Sequence, residues 1–208
     1  MRAGGLILDC SGPVHGDWIR QTLKGAQSRI VLYRRNFESA SLSEIPTHTS
    51  LQMVSGCLVT FLRKTKSSVS LIVDDSGAFH FDEQPLELLK RYYDALSWDG
   101  EAWIRFPASF WVFLDGGHRV SLQEYLIMKF PSFVTTLRQN EMPTGLRSGV
   151  SSNEGWIRIR KVHHTPRLFF QLQPRSLGGT ANSHIVHSPV VEFVEISARN
   201  GVCFKKVA

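Results

Sequence analysis

Short apolar runs separated by turn residues fill the block from Gly56 to Asp115 and leave little room for long helices. Leu51 to Leu62 is one long apolar run containing Gly56, Arg63 to Ser68 is polar, and Val69 to Val73 is apolar again. Two apolar runs joined by a polar turn predict a β-hairpin, the second strand ending on Asp74. Pro85 then opens the one convincing helix, with Asp82, Glu83 and Glu87 near the positive end of its dipole. Leu86, Leu89, Tyr93 and Leu96 share one face, and Gly100 is read as its stop. Strands are predicted at Ala102 to Phe106 and, entered through Phe106-Pro107, at Phe110 to Leu114, with a turn at Asp115-Gly-Gly117. Ser121 to Phe130 fits a helix or a strand equally.

Beyond Gly155 every segment reads as strand: Trp156 to Val162, Arg167 to Leu172, Ile185 to Ile196 and Gly201 to Lys206. About eight short strands and one good helix predict a mainly β chain with one or two helices, a single jelly-roll-like sandwich domain with an inserted helix. Residues 1–16, rich in glycine, read as a loose arm. A short helix from Asp17 and a strand at Ile30 to Tyr33 complete an N-terminal arm of 1–50, leaving 51–208 as a β-rich core domain.

The 208 residues carry 24 Lys and Arg against 18 Asp and Glu, a net charge of +6. Such a balance favours an acidic partner, nucleic acid or an anionic membrane surface. The three cysteines, Cys10, Cys57 and Cys203, are far apart and form neither a disulfide framework nor a zinc spacing. No run approaches the roughly 18 to 20 apolar residues needed to span a bilayer. Leu6 to Leu8 is cut off by Asp9, too early for a signal-peptide core.

Little else reads as chemistry. His163, His164, His184 and His187 sit close in sequence, but on strand or loop their spacing does not converge on a metal. Cys57 reads as a small buried hydrophobe, and Cys10 as the exposed thiol. Asp74, Asp75, Asp82 and Glu83 form the acidic cluster, read as a turn followed by a helix start. No catalytic residue, metal or cofactor is therefore expected, and the chain reads as a non-enzymatic binding protein.

The basic residues suggest what it binds. Trp156-Ile-Arg-Ile-Arg-Lys161 alternates, so a strand puts Trp156, Arg158 and Arg160 on one face. Guanidinium groups beside an exposed aromatic suit phosphate contact and base stacking. Lys161, Arg167, Arg63, Lys64 and Lys66 extend that set, although the same residues also suit an ordinary solvated face.

The order Gly56, Leu71-Ile-Val-Asp74, Asp82-Glu83, Phe106-Pro107 with Phe110, and Asp115 resembles the core of the thirty-kilodalton superfamily of plant-virus movement proteins. Asp82 follows Asp74 by eight residues, and Asp115 follows Pro107 by eight. Asp75 stands where that family carries a basic residue. The resemblance implies a jelly-roll-like core binding single-stranded nucleic acid or nucleoprotein for cell-to-cell transport, with Gly56, Asp74, Pro107 and Asp115 as structural positions. A helix from Pro85 to Leu96, then Ser97-Trp98-Asp99 and an apolar strand, is also similar to rhabdovirus matrix proteins. That likeness implies a link between nucleocapsid and inner membrane leaflet. Either implies self-association, a peripheral anionic membrane as partner, and a place inside an infected cell rather than secretion; an unrelated basic β-rich domain is the third alternative.

Overall fold

The computed structural model describes residues 5–11, 29–33, 51–54, 57–82, 84–107, 109–142, 146, 155–162, 172–174 and 191–195. In chain order its elements are β1 (Leu6–Asp9), β2 (Arg29–Tyr33), β3 (Leu51–Val54), α1 (Leu58–Lys64), β4 (Val69–Asp74), α2 (Ala78–Phe81) and α3 (Pro85–Ala95). They continue with β5 (Leu96–Phe106), β6 (Phe110–Phe113), β7 (Arg119–Ser121), α4 (Leu122–Lys129), β8 (Val134–Thr136), a 3-10 turn (Gln139–Glu141), β9 (Gly155–Arg160), β10 (Leu172–Pro174) and β11 (Val191–Glu195).

Seven strands form one sheet in the order β3-β2-β1-β4-β5-β9-β8. The first five run parallel, and β9 lies antiparallel to both β5 and β8. Parallel neighbours need a long crossover, usually helical. Helix α3, predicted as an insertion, is part of the crossover that returns the chain from β4 to β5. A jelly-roll-like sandwich is therefore excluded; the fold is α/β with a mostly parallel sheet. A smaller four-stranded sheet, β10-β11-β6-β7, packs beside it through Phe110, Val112, Leu172 and Phe193.

The predicted hairpin is absent. Its first half is two elements, since β3 ends at Val54 and Leu58 begins helix α1. Leu58 and Leu62, four apart, are buried, while Arg63 and Lys64 in the last turn face solvent. Strand β4 pairs not with β3 but with β1 and β5. Residues 6–9 and 29–33, read as part of an arm, lie inside this sheet.

The large sheet is covered on both faces, which explains the near-continuous apolar runs of β1 and β4. Leu8, Val69, Ile72, Ile104 and Ile157 face one side, toward α1, α3 and the smaller sheet. Ile7, Ile30, Leu71, Val73, Trp103 and Trp156 face the other, with Leu137, Met142 and Leu146.

Local chemistry sets the ends of the elements. Helix α3 starts with Pro85 at its first turn and stops at Ala95, before Gly100. Gly100 instead sits where β5 bulges against β4; a Cβ there would stand 2.9 Å from the Val69 carbonyl oxygen. A capping box resolves Ser121 to Phe130 as helix. The Ser121 hydroxyl accepts from the Glu124 backbone N–H at 3.1 Å, and the Glu124 carboxylate accepts from the Ser121 N–H at 3.0 Å. The turn predicted at Asp115 is present, with Gly116 and Gly117 at positive φ.

Leu8→Ala tests the placing of β1. Leu8 is fully buried, so truncation should cost about 2–5 kcal/mol in denaturant unfolding; a loose arm would show no change.

Candidate active site

Strands β1 and β4 are neighbours, yet the chain winds to β2 and β3 on one side and to β5 on the other. In open α/β sheets such a reversal leaves a crevice outside the carboxyl ends of the strands, where ligands bind. Four of the five buried polar or charged residues among those described gather there: Asp9, Ser11, Asp74 and Asp75 are each almost wholly inaccessible.

The two strand ends are laced together. The Cys10 N–H donates to the Val73 carbonyl at 2.7 Å, and the Ala78 N–H to the Cys10 carbonyl at 3.1 Å. Ser11 donates its backbone N–H to the Asp9 carboxylate at 2.9 Å and accepts on its hydroxyl from the Asp75 N–H at 3.1 Å. The approach is so close that a Cβ on Gly77 would stand 1.9 Å from the Cys10 carbonyl oxygen. Only glycine fits there.

Asp74 holds the turn after β4. Its carboxylate accepts from the Gly77 N–H at 2.9 Å, the Phe79 N–H at 2.7 Å and the Tyr92 hydroxyl of α3 at 2.6 Å. Burial pushes its carboxyl up to about 7, with the charge of Asp9 adding to the rise, while the three donors oppose it. The same burial, with Asp74 beside it, pushes the Tyr92 phenol well above its ordinary range. Asp75 turns instead to Arg105 of β5, whose guanidinium donates to it at 3.2 Å. A glycine-tight approach beside the carboxyl ends of parallel strands is also what nucleoside-binding α/β sheets carry. One position departs from such sites: Tyr33 ends β2 and is followed in sequence by Arg34 and Arg35, not by the acidic residue that takes a ribose hydroxyl in dinucleotide folds.

The residues expected to bind nucleic acid do not form one face. Trp156 is only 2% exposed and lies in the buried cluster that holds Trp103, so base stacking on it is ruled out. The alternation in β9 is real, but on a doubly covered sheet Trp156, Ile157 and Ile159 are all buried and Arg160 alone of the strand is exposed. Arg158 lies against Thr135 and Glu141. Arg160 and Lys161 lie at the far end of β9, near the turn carrying Lys66. Arg63, Lys64 and Lys66 are exposed. Pro107 is buried and Asp115 exposed in its turn. Arg167, Gly56, Glu83, His163, His164, His184 and His187 lie outside the described residues.

The two thiols are exchanged relative to expectation: Cys10 is buried in the crevice wall and Cys57 exposed ahead of α1. No group of three metal-ligating side chains occurs among the described residues, and no helix among them is long and apolar enough to cross a membrane.

No protein-family model matches the chain, and no curated protein matches it in sequence. Solved structures do. The CurJ carbon methyltransferase aligns over 77% of this chain at TM-score 0.52 and 12% identity, this chain spanning 49% of it, about half its length. A chain of the complex between the Haloferax volcanii Trm112 methyltransferase activator and a proposed methyltransferase aligns over 79% of this chain and 85% of its own length, at TM-score 0.52 and 12% identity. An S-adenosylmethionine-dependent methyltransferase from Mesorhizobium loti aligns over 76% of this chain and 92% of its own, at TM-score 0.49 and 14% identity.

The first two likenesses show that the chain shares its α/β fold with those structures. They overturn both viral resemblances, movement protein and matrix protein, and remove the jelly-roll frame on which the expectation of a non-enzymatic binding protein rested. The movement-protein motif does not hold because its parts are split between two sheets: Asp74 ends a strand of the parallel sheet, whereas Asp115 lies in the turn between the antiparallel β6 and β7 of the smaller one.

The raised carboxyl of Asp74 sets a pH dependence. A buried acid with a folded pKa near 7 binds more protons folded than unfolded, so its contribution is full below about pH 4 and is lost as pH rises through 7. Urea unfolding from pH 4 to 8 should show this decline, and Asp74→Asn should flatten it. Tyr92→Phe should lower stability by about 1–3 kcal/mol, because a buried acceptor loses its donor.

Proposed function

We propose that the chain is an S-adenosylmethionine-dependent methyltransferase whose cofactor lies in the crevice at the carboxyl ends of β1 and β4. The observation that carries this reading is the sheet: five parallel strands, a reversed β9 inserted before β8, and buried carboxylates gathered at the winding reversal. A fold shared with methyltransferases at TM-score 0.52 supports it.

S-adenosylmethionine supplies, when bound, a methyl group on a positively charged sulfonium. The chain's own residues would do the rest. Asp9 and Ser11, at the end of β1, offer a negative charge and a small polar side chain that lets the backbone approach the cofactor. Asp74 and Tyr92 hold the turn that forms the opposite wall. Arg105 holds Asp75 in place and balances its charge across the ends of β4 and β5. A positively charged ligand is favoured where carboxylates are buried near it, because their field is weakly screened there.

Thermal unfolding with S-adenosylmethionine, S-adenosylhomocysteine and NAD checks this. Either adenosyl ligand at a hundredfold excess over its Kd should stabilise the protein by about 2.7 kcal/mol, and NAD should not. Asp9→Asn should weaken binding at least about tenfold, about 1.4 kcal/mol, while the variant stays folded. A folded protein that millimolar adenosyl ligands fail to stabilise would overturn the reading.

A further inference from the structure

At the opposite end of the large sheet, β4 and β5 begin and β9 finishes. Five residue steps along β4 separate this edge from the crevice by about 17 Å. The turn from Lys66 to Ser68 is pinned here: the Ser67 N–H donates to the Asp94 carbonyl at 3.0 Å, and the Ser68 N–H to the Ala95 carbonyl at 3.0 Å. Lys161 reaches the same turn, its Nζ 3.1 Å from the Asp94 carbonyl oxygen and 3.4 Å from the Ser67 hydroxyl. That ammonium also stands 5.6 Å from the centre of the Trp98 ring, and Trp98 is 52% exposed.

Arg63 and Lys64, in the last turn of α1, lead into this turn with their side chains in solvent. Arg160 pairs with Asp99 at 3.1 Å, but both are more than half exposed, so water and a competing anion can separate them. Arg63, Lys64, Lys66 and Arg160 thus gather in solvent at the edge that carries an exposed tryptophan, against Asp94 and Asp99, while the buried Lys161 holds the turn in place.

We infer that this amino-terminal edge is a binding surface for single-stranded nucleic acid, with Trp98 as the stacking platform and the exposed Arg63, Lys64, Lys66 and Arg160 as phosphate contacts. Charge alone would fit duplex, membrane or single strand. The exposed aromatic decides among them: a base can stack on it only when unpaired, whereas burial in a bilayer calls for several apolar groups. Among the described residues Trp98 is the one large apolar side chain exposed at this edge; the others so exposed, Phe81, Met128 and Val194, lie on α2, α4 and β11. The inference does not depend on the cofactor reading, since no residue is shared.

Fluorescence anisotropy of the full chain tests it, with labelled RNA and DNA single strands of about 16 nucleotides, the matching duplex, and phosphatidylserine vesicles, across a salt series. Single strands should bind more tightly than duplex. Lys64→Glu with Lys66→Glu should weaken binding at least about tenfold and reduce the salt slope by about 1.4, two contacts at roughly 0.7 each. Trp98→Ala should weaken binding about tenfold with the slope unchanged. S-adenosylhomocysteine stabilisation, read on the same variants, should be unaltered, which keeps this result separate from the cofactor test. Wild-type affinity in the folded variants, preference for duplex, or binding to vesicles alone would each overturn the inference.

Discussion

Everything in the large sheet depends on four residues, Leu6 to Asp9, hydrogen-bonded on both sides. Strand β1 pairs with β2 from Leu6 to Asp9 and with β4 over the same residues. Without it β2 and β3 would have no contact with β4 and β5, and the winding reversal that opens the crevice would not exist. A strand this short holds because Ile7 and Leu8 are buried on opposite faces, each inside a packed cluster. Its central place also means that Asp9, buried and hydrogen-bonded to the Ser11 N–H, stands at the reversal.

The second constraint is the buried carboxylate of Asp74. A single carboxylate takes up the backbone donors of Gly77 and Phe79 and a phenol from α3, so it ties the β4 turn to the crossover helix. An apolar residue would leave those donors buried and unsatisfied, which costs more than burying the acid among them. The turn is therefore rigid, and the wall it makes beside Cys10 and Ser11 is preorganised. Asp75, one residue later, turns to Arg105, so adjacent aspartates serve different tasks: the first holds the wall and the second carries charge at the strand end.

Much of this is legible in single elements and little in their assembly. Helix α3 announces itself because Pro85, the acidic residues before it and the Leu89–Tyr93 spacing all act locally. The turn at Asp115 and the alternation of β9 are equally local. Pairing is not local: nothing in Val69 to Asp74 says whether its neighbour comes before it in a hairpin or from residue 6. The apolar stretch from Leu51 to Leu62 conceals a strand and a helix because Leu58 and Leu62 fit an apolar run as well as a helical face. Trp156 misleads for a related reason, since alternation marks two faces without saying whether either meets water. The signal that points most directly to the crevice is Leu6-Ile-Leu-Asp9 followed by Ser11-Gly12. A glycine in the turn after the first strand is what lets the backbone of a nucleoside-binding α/β unit come close to its ligand. The strand's shortness disguises it, because four residues near a chain start look like an arm until a partner strand is found on each side.

The parallel sheet also separates charge in a way that net composition hides. A parallel strand carries its carboxyl end to one edge and its amino end to the other, so all five bring their first residues together and their last residues together. In this chain the last residues of the two central strands are acidic, Asp9 and Asp74 with Asp75 after it, whereas the turn leading into β4 and the end of β9 are basic, Lys66, Arg160 and Lys161. The net charge of +6 is thus not spread evenly over the molecule. A cationic cofactor and a polyanionic strand would be drawn to opposite edges, about 17 Å apart, beyond the Debye length of roughly 8 Å at physiological salt. On both proposals each ligand would meet a field of the sign it needs.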